Sequence, residues 1–438
     1  MRPQLSLSFE GYRDLLSQGF RAVLDERHPA RITWELHDVL MSGFAMFFFQ
    51  HPNLLHFQRK MKKATGQANL ERLFGVSEVP SDTQMRTLLD TAAAQEPLRR
   101  VLPQVFTRMQ RTGWTERYVT QVHGVGYYTV AVDGSQYFSS EHLHCPFCLS
   151  RKDKNGDLHY SHTVVGATLV RAGRHDILPL DAEEVRNSDG QEKQDCEINA
   201  GKRLVTRLRQ EHRQLPMVVV GDDLYAHEPF IQLLRQWRYG FVLVAKPTSH
   251  QELFDWVEDL DRLGACVKGQ WTEGPASKRR YFEYRIASQV PLTQSDEVQV
   301  HFVEVWERNK EGKVLYHNSW VTDFDVTAEN VATIVGIGRA RWKIENEQFN
   351  VHKNQGYELE HNYGHGQHGL SLVFYLLNLL AFVAHLVLEL GDRQYQQARR
   401  QETHKGLWEE LRVFFDRLVF ESWAALLAFQ LSDGLPEP

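Results

Sequence analysis

The stretch LSLVFYLLNLLAFVAHLVLEL, Leu370 to Leu390, constrains the fold of this chain more than any other segment. It is long enough to cross a bilayer. A helix that is apolar all round belongs either in a membrane or in the core of a large protein. Tyr375, Asn378 and His385 interrupt the run, and the chain around it has an ordinary globular balance, 42% hydrophobic and 24% charged. The expectation is therefore a buried core helix, with no membrane span. A second apolar run, Val39 to Phe49, is too short to cross. At 438 residues the chain exceeds one ordinary single-core domain, so two or three are expected. Its four cysteines do not make a disulfide framework. The opening MRPQLSLSFE lacks the apolar core of a signal peptide, and the expected location is cytoplasmic. A net charge of −6 argues against a broad phosphate-binding surface, so any nucleic-acid contact would come from local patches.

Residues 1–120 read as helical. Asn69 to Phe74 is a helix ending at Gly75, and Ser81 starts the next one, with Gln84 placed for a capping box. The basic cluster Arg59, Lys60, Lys62 and Lys63 lies just before. From Tyr127 the pattern turns to strands. YYTVAVDG ends on Asp133, and YSHTVVGATLV and HDILPL follow. A charged helix, Gln191 to Glu211, leads to the buried-type strand PMVVVGDD, then the helix EPFIQLLRQW and the strand YGFVLVAK. This order predicts an α/β fold, a mixed sheet with flanking helices. Alternating runs over 270–323 read as an antiparallel insertion, placed at about 247–326. From Thr327, a plausible N-cap, to about Asn354 the helical period returns, with Gly336 and Gly338 placed to kink or break it. A helical tail follows over 391–438.

Two predicted strands end on aspartate, Asp133 and Asp222, and the ends of sheet strands are where such folds place their chemistry. Either one could equally be a helix cap or a turn residue. A third carboxylate comes from RWKIENEQFNVHK, residues 341–353. At ~100° per residue, Arg341, Glu345, Gln348 and His352 share a face, whereas Glu347 lands on another. Trp342 with Phe349 makes one apolar edge and Ile344 with Val351 a second, as for a helix wedged between layers. Carboxylates without accompanying cysteine or clustered histidine suit Mg²⁺ or Mn²⁺ better than Zn²⁺. Two such ions ~4 Å apart can activate a water and stabilise the leaving oxygen of a phosphodiester.

VAVDGSQ around Asp133, VVVGDDLYA around Asp222 and RWKIENEQF around Glu345 carry a family resemblance. The chain resembles the DDE-type transposases of bacterial insertion sequences, the cut-and-paste group with a β-rich insertion before the catalytic Glu. The likeness covers roughly residues 125–385, and more weakly the N-terminal part, which is similar to that family's helical DNA-binding region. The longer of the two gaps between the acids holds the insertion. The group's signature around the Glu is Tyr, two residues, Arg, three residues, Glu, six residues, Lys. Arg341 and Glu345 fit it, Gly338 stands in place of the Tyr, and His352 in place of the Lys, with Lys353 next. The resemblance implies an RNase H-like catalytic domain over 121–390, an N-terminal DNA-binding domain over 1–120, and catalytic metal ligands Asp133, Asp222 and Glu345, with Asp223 the alternative to Asp222. It further implies hydrolysis at transposon ends, strand transfer into target double-stranded DNA, and a homodimer assembled on DNA. Other outcomes are a DNA-binding regulator or relic without catalysis, and a nuclease that cuts without joining.

The expected DNA contacts are Arg341, His352 and Lys353 near the acids, Gln84 and Arg86 on a recognition helix, and Lys62 and Lys63 in the basic cluster. Cys145 and Cys148 form a C-x-x-C, with Cys196 and His162 within reach in sequence. That set is compatible with structural Zn²⁺, although its spacing fits no named finger, and buried free thiols are the alternative.

Overall fold

A computed structural model of the protein describes residues 8–189, 193–294 and 297–432. Its centre is one mixed sheet of eleven strands: β1 Val119–Val122, β2 Val125–Ser140, β3 Leu149–Lys152, β4 Leu158–Val170, β5 Leu178–Glu184, β6 Met217–Gly221, β7 Gly240–Val244, β8 Val267–Glu273, β9 Arg280–Pro291, β10 Gln299–Arg308 and β11 Val314–Thr322. The order is β3-β4-β2-β6-β7-β11-β10-β9-β8, with β1 on β2 and β5 on β4. Only β2 with β6 and β6 with β7 are parallel. These are the strands joined by helical crossovers, Lys193–Glu211 before β6 and Glu228–Gln236 before β7. Both β6 and β7 are buried along their whole length, which is why they read as unbroken apolar runs rather than alternating ones. The first two residues expected in the charged helix, 191 and 192, lie outside the described residues.

The β-rich insertion is antiparallel as expected, but it continues the central sheet. Trp320 of β11 pairs with Val244 of β7. The physical reason is the outer edge of β7, whose N–H and C=O groups would otherwise be left unpaired.

The apolar helix, Leu370–Gly391, is a core element: 94% of its most apolar window is buried. Two of its polar interruptions hold bonds inside the fold. Asn378 Nδ2 donates to Tyr357 O at 2.8 Å. His385 lies 2.9 Å from Phe48 O through Nε2 and 2.5 Å from the Tyr357 hydroxyl through Nδ1. The helices before residue 112 cover one side. Tyr12 donates its hydroxyl proton to Leu380 O at 2.7 Å, and Gly43 leaves room for Leu377. The tail covers another side. Trp408 stacks on His385 at 3.7 Å, and Phe415 stacks on Phe49 at 3.9 Å. Asn69 closes the seam, donating to Phe415 O and Leu418 O and accepting from Phe420 N. The N-terminal helices and the tail thus share one core, because a helix apolar on every face must be enclosed on every face.

Local signals survive intact. Gly75 takes a left-handed φ of 69° after Phe74, and the Ser81–Gln84 capping box forms. The helical stretch expected from Thr327 to about Asn354 is interrupted just after Gly338: one helix runs Val331–Arg339, with Asn330 rather than Thr327 as its N-cap, a turn follows at Ala340 and Arg341, and helix resumes at Trp342. Gly338 is there for close packing. A Cβ would lie 2.5 Å from the Trp320 indole nitrogen, so the Trp320 ring occupies the space a larger side chain would need. Gly338→Ala is expected to cost about 1–3 kcal/mol by overpacking, seen as a lower urea midpoint with an unchanged m-value.

Candidate active site

The sheet brings Asp133 and Asp222 to the same level. In the parallel ladder Ala131 faces Val220, and β6 ends one residue later at Gly221. Asp133 is therefore not at a strand end, as its sequence context suggested. β2 runs on to Ser140, because QYFSS continues pairing with β4 as far as Ser140 opposite Tyr160. β6 thus stops while its neighbour β2 continues past Asp133. Asp222 caps the short turn that follows, accepting from Leu224 N at 3.1 Å. Asp223 turns to Lys246 at 2.6 Å and to Ser249 at 3.1 Å. Of the two neighbours, Asp222 is the one that faces Asp133.

Glu345 arrives on a widened helical turn, Ile344–Phe349, with π-type hydrogen bonding. Such turns often accompany functional sites, because they rotate a side chain out of the regular helical phase. Gly166, opposite Asp133 on β4, makes the docking possible. Phe349 and Ile344 rest where its Cβ would be, at 3.0 and 3.4 Å. Thr168 on the same strand donates to Gln348 Oε1. These contacts bring Glu345 over Asp133.

Arg341 joins the two. Its Nη1 lies 3.0 Å from Asp133 Oδ2 and 2.7 Å from Glu345 Oε1. Asp133 is 7% exposed. Burial, with Glu345 and Asp222 adding to it, pushes its carboxyl up to about 8 against the pull of Arg341. Burial and then Asp223 raise Asp222. This is a partly buried acidic cluster with a built-in cation in Arg341. A fourth carboxylate is close by. Glu197 accepts from the Tyr225 hydroxyl at 3.2 Å, and its Oε1 lies 2.5 Å from where a Cβ on Gly134 would sit. Burial raises Tyr225, and Glu197, Asp133 and Asp222 raise it further. Glu197 was not singled out in the sequence, since nothing in its helix marks it; the glycine after Asp133 is the one trace it leaves.

The expected DNA contacts fare differently. His352 is fully buried, edge-on to Phe382 at 4.3 Å, and burial holds its imidazole down to about 3. It is a neutral core residue and cannot reach a phosphate. Lys353 pairs with Glu360 at 2.9 Å. Arg86 bonds Tyr363 O at 2.8 Å and Asp82 at 3.0 Å, and the Gln84 carboxamide oxygen serves the capping box. Lys62 and Lys63 are exposed, whereas Lys60 pairs with Asp416. Trp342 does not share an apolar edge with Phe349. It is 48% exposed, with the Arg341 guanidinium 4.5 Å from its ring, while Phe349 is buried. Glu347, 31% exposed against 37% for Glu345, pairs with the exposed His175 at 3.2 Å and not with the acids.

Among the described residues, only Cys145, Cys148, His162 and His365 bring metal-ligating atoms within 4.8 Å of one another. This Cys/His cluster could hold a metal such as zinc. The fourth position belongs to His365 and not to Cys196, which sits in the helix Lys193–Glu211 and is not part of the group.

No protein-family model matches the chain, and neither does any curated protein.

Proposed function

We propose that the protein is a DDE-type DNA transposase, with Asp133, Asp222 and Glu345 as its catalytic acids. One observation carries the reading. Three carboxylates from separate parts of the chain converge at the end of the parallel ladder, with Arg341 bridging two of them. The order β5-β4-β2-β6-β7, antiparallel through the first three strands and parallel through the last two, supports an RNase H-like domain. In this reading Asp133, Asp222 and Glu345 would hold Mg²⁺ or Mn²⁺ through oxygen donors, although their oxygens do not lie within 4.8 Å of one another as the ligand atoms of the Cys/His group do, and Arg341 now occupies Asp133 and Glu345. When bound, such ions supply positive charge for an attacking and a leaving oxygen in phosphoryl transfer.

The chain's own residues do the rest by positioning. Gly166 and Gln348 fix the angle at which Glu345 meets β2. Arg341 bonds both Asp133 and Glu345 and so fixes them beside each other. Tyr225 holds Glu197 beside Gly134, the residue after Asp133. The substrates of this reading are transposon ends and target DNA, held by two copies of the chain.

The test is an excision and joining assay with the gene's native flanking DNA on a plasmid. Metal-dependent loss of the segment and its insertion elsewhere are expected. Cutting without joining would favour a nuclease, and binding of flanking DNA without cutting would favour a regulator.

A further inference from the structure

We infer that Cys145, Cys148, His162 and His365 form a structural zinc site that anchors the segment between the Glu345 helix and the apolar helix. The four come from three places. Cys145 and Cys148 lie between β2 and β3, His162 is on β4, and His365 lies in the irregular stretch before Leu370.

The spacings are those of a closed tetrahedral centre. With Zn–S and Zn–N bonds of ordinary length, a tetrahedron puts two sulfurs about 3.8 Å apart and a sulfur and a nitrogen about 3.6 Å apart. The two Sγ atoms lie 3.7 Å apart. His162 Nε2 is 3.4 Å from Cys145 Sγ and 3.3 Å from Cys148 Sγ. His365 Nδ1 is 3.6 Å from Cys148 Sγ. Two thiols and two imidazoles are a soft set that selects zinc over the hard cations suited to the acidic site.

The surroundings fit as well. Each histidine turns one nitrogen into the cluster. The other nitrogen of His162, Nδ1, faces Glu184 Oε1 at 3.6 Å, both groups being fully enclosed. A carboxylate behind a ligand histidine is the usual means of orienting the ring. Tyr137 stacks on His162 at 5.6 Å, and Phe138 meets His365 edge-on at 4.1 Å, which shields the centre from water.

What the ion would hold is legible from the stretch itself. Gly364, Gly366 and Gly369 all have positive φ, and the stretch contains no regular element. Asp90 clamps it from the helical side, accepting from the N–H groups of Gln367, His368 and Leu370. His365 would be the matching anchor on the sheet side. The ion would tie the exit of the Glu345 helix to β4, the neighbour of the strand that carries Asp133.

Metal content tests this, independently of the transposase reading. Full-length protein purified without chelator and dialysed into metal-free buffer should retain one zinc per chain. Replacing that zinc with Co²⁺ should give the visible absorption of tetrahedral cobalt, with thiolate charge-transfer bands. Cys148→Ser and His365→Ala should lose the zinc at least tenfold, while Cys196→Ser and Cys266→Ser keep it. Stripping the wild type with a chelator should lower its Tm, and added zinc should restore it, which needs no variant to fold. Folded wild type without zinc and without a tetrahedral cobalt spectrum overturns the site. So does full zinc retention in both Cys148→Ser and His365→Ala.

Discussion

Glu345→Gln is expected to lower DNA cleavage by on the order of 10²–10³-fold, while Glu347→Gln stays within about twofold of wild type. The two glutamates are two residues apart on one helix but face different surroundings. Glu345, whose side chain is 37% exposed, bonds Arg341 at 2.7 Å beside the buried Asp133, so its partners set it apart from Glu347. Glu347 pairs with His175, which is almost wholly exposed, and a solvated pair of that kind contributes little. Gln keeps the size and shape of Glu, so both variants should unfold within a few degrees of wild type. The measurement is single-turnover nicking of native flanking DNA with Mg²⁺, beside a thermal melt. Equal loss of cleavage in two well-folded variants would refute the assignment of Glu345 to the inner face.

A second large effect is acid unfolding between about pH 6.5 and pH 4. His352 and His212 are buried, and burial holds them down to about 3 and about 4, with Arg209 adding to the effect at His212. His385 and His51 are depressed in the same direction, chiefly by burial. An unfolded histidine takes up its proton near pH 6.5, while these stay neutral in the fold. The unfolded state therefore binds more protons as pH falls through this window. The stability these residues contribute is present above about 6.5 and is lost on the way down. For His352 and His212 the loss is roughly 3 kcal/mol each by pH 4, a large part of the 5–15 kcal/mol that holds an ordinary domain together. Asp133, raised by burial, works in the opposite sense, so the useful quantity is a difference between variants. His352→Leu keeps an apolar side chain against Phe382 and removes the titration. Its urea midpoint should fall less steeply than wild type between pH 7 and pH 4.5. Parallel profiles for the two proteins would show that His352 does not titrate with folding.

Much of this fold is written in local sequence. The unbroken apolar runs of β6 and β7, the Ser81–Gln84 capping box and the left-handed Gly75 are all set by residues within a few positions of one another. So is the choice between helix and strand over most of the sheet. What failed were inferences that assumed a local geometry. A wheel at ~100° per residue presumes an α-helix, and the widened turn at Ile344–Phe349 does not keep that phase, so Trp342 is exposed and parted from Phe349. Ending β2 at Asp133 presumed that its polar residues stop pairing, yet β4 carries the ladder to Ser140.

The chain's sequence by itself determined its elements and its candidate chemistry, because propensity, capping and periodicity act between near neighbours. The tertiary structure decided which groups meet. His352 reads as a cation beside an acidic site and becomes a neutral core residue only because Phe382 and Tyr357 close over it. His365 joins Cys148 across more than two hundred residues of chain, where Cys196, nearer in sequence, does not. Glu197 packs against Gly134, next to Asp133, only because that residue has no Cβ. In each case the deciding contact is long-range, and burial, which sets the charge and the partners of a side chain, is a property of the packed whole.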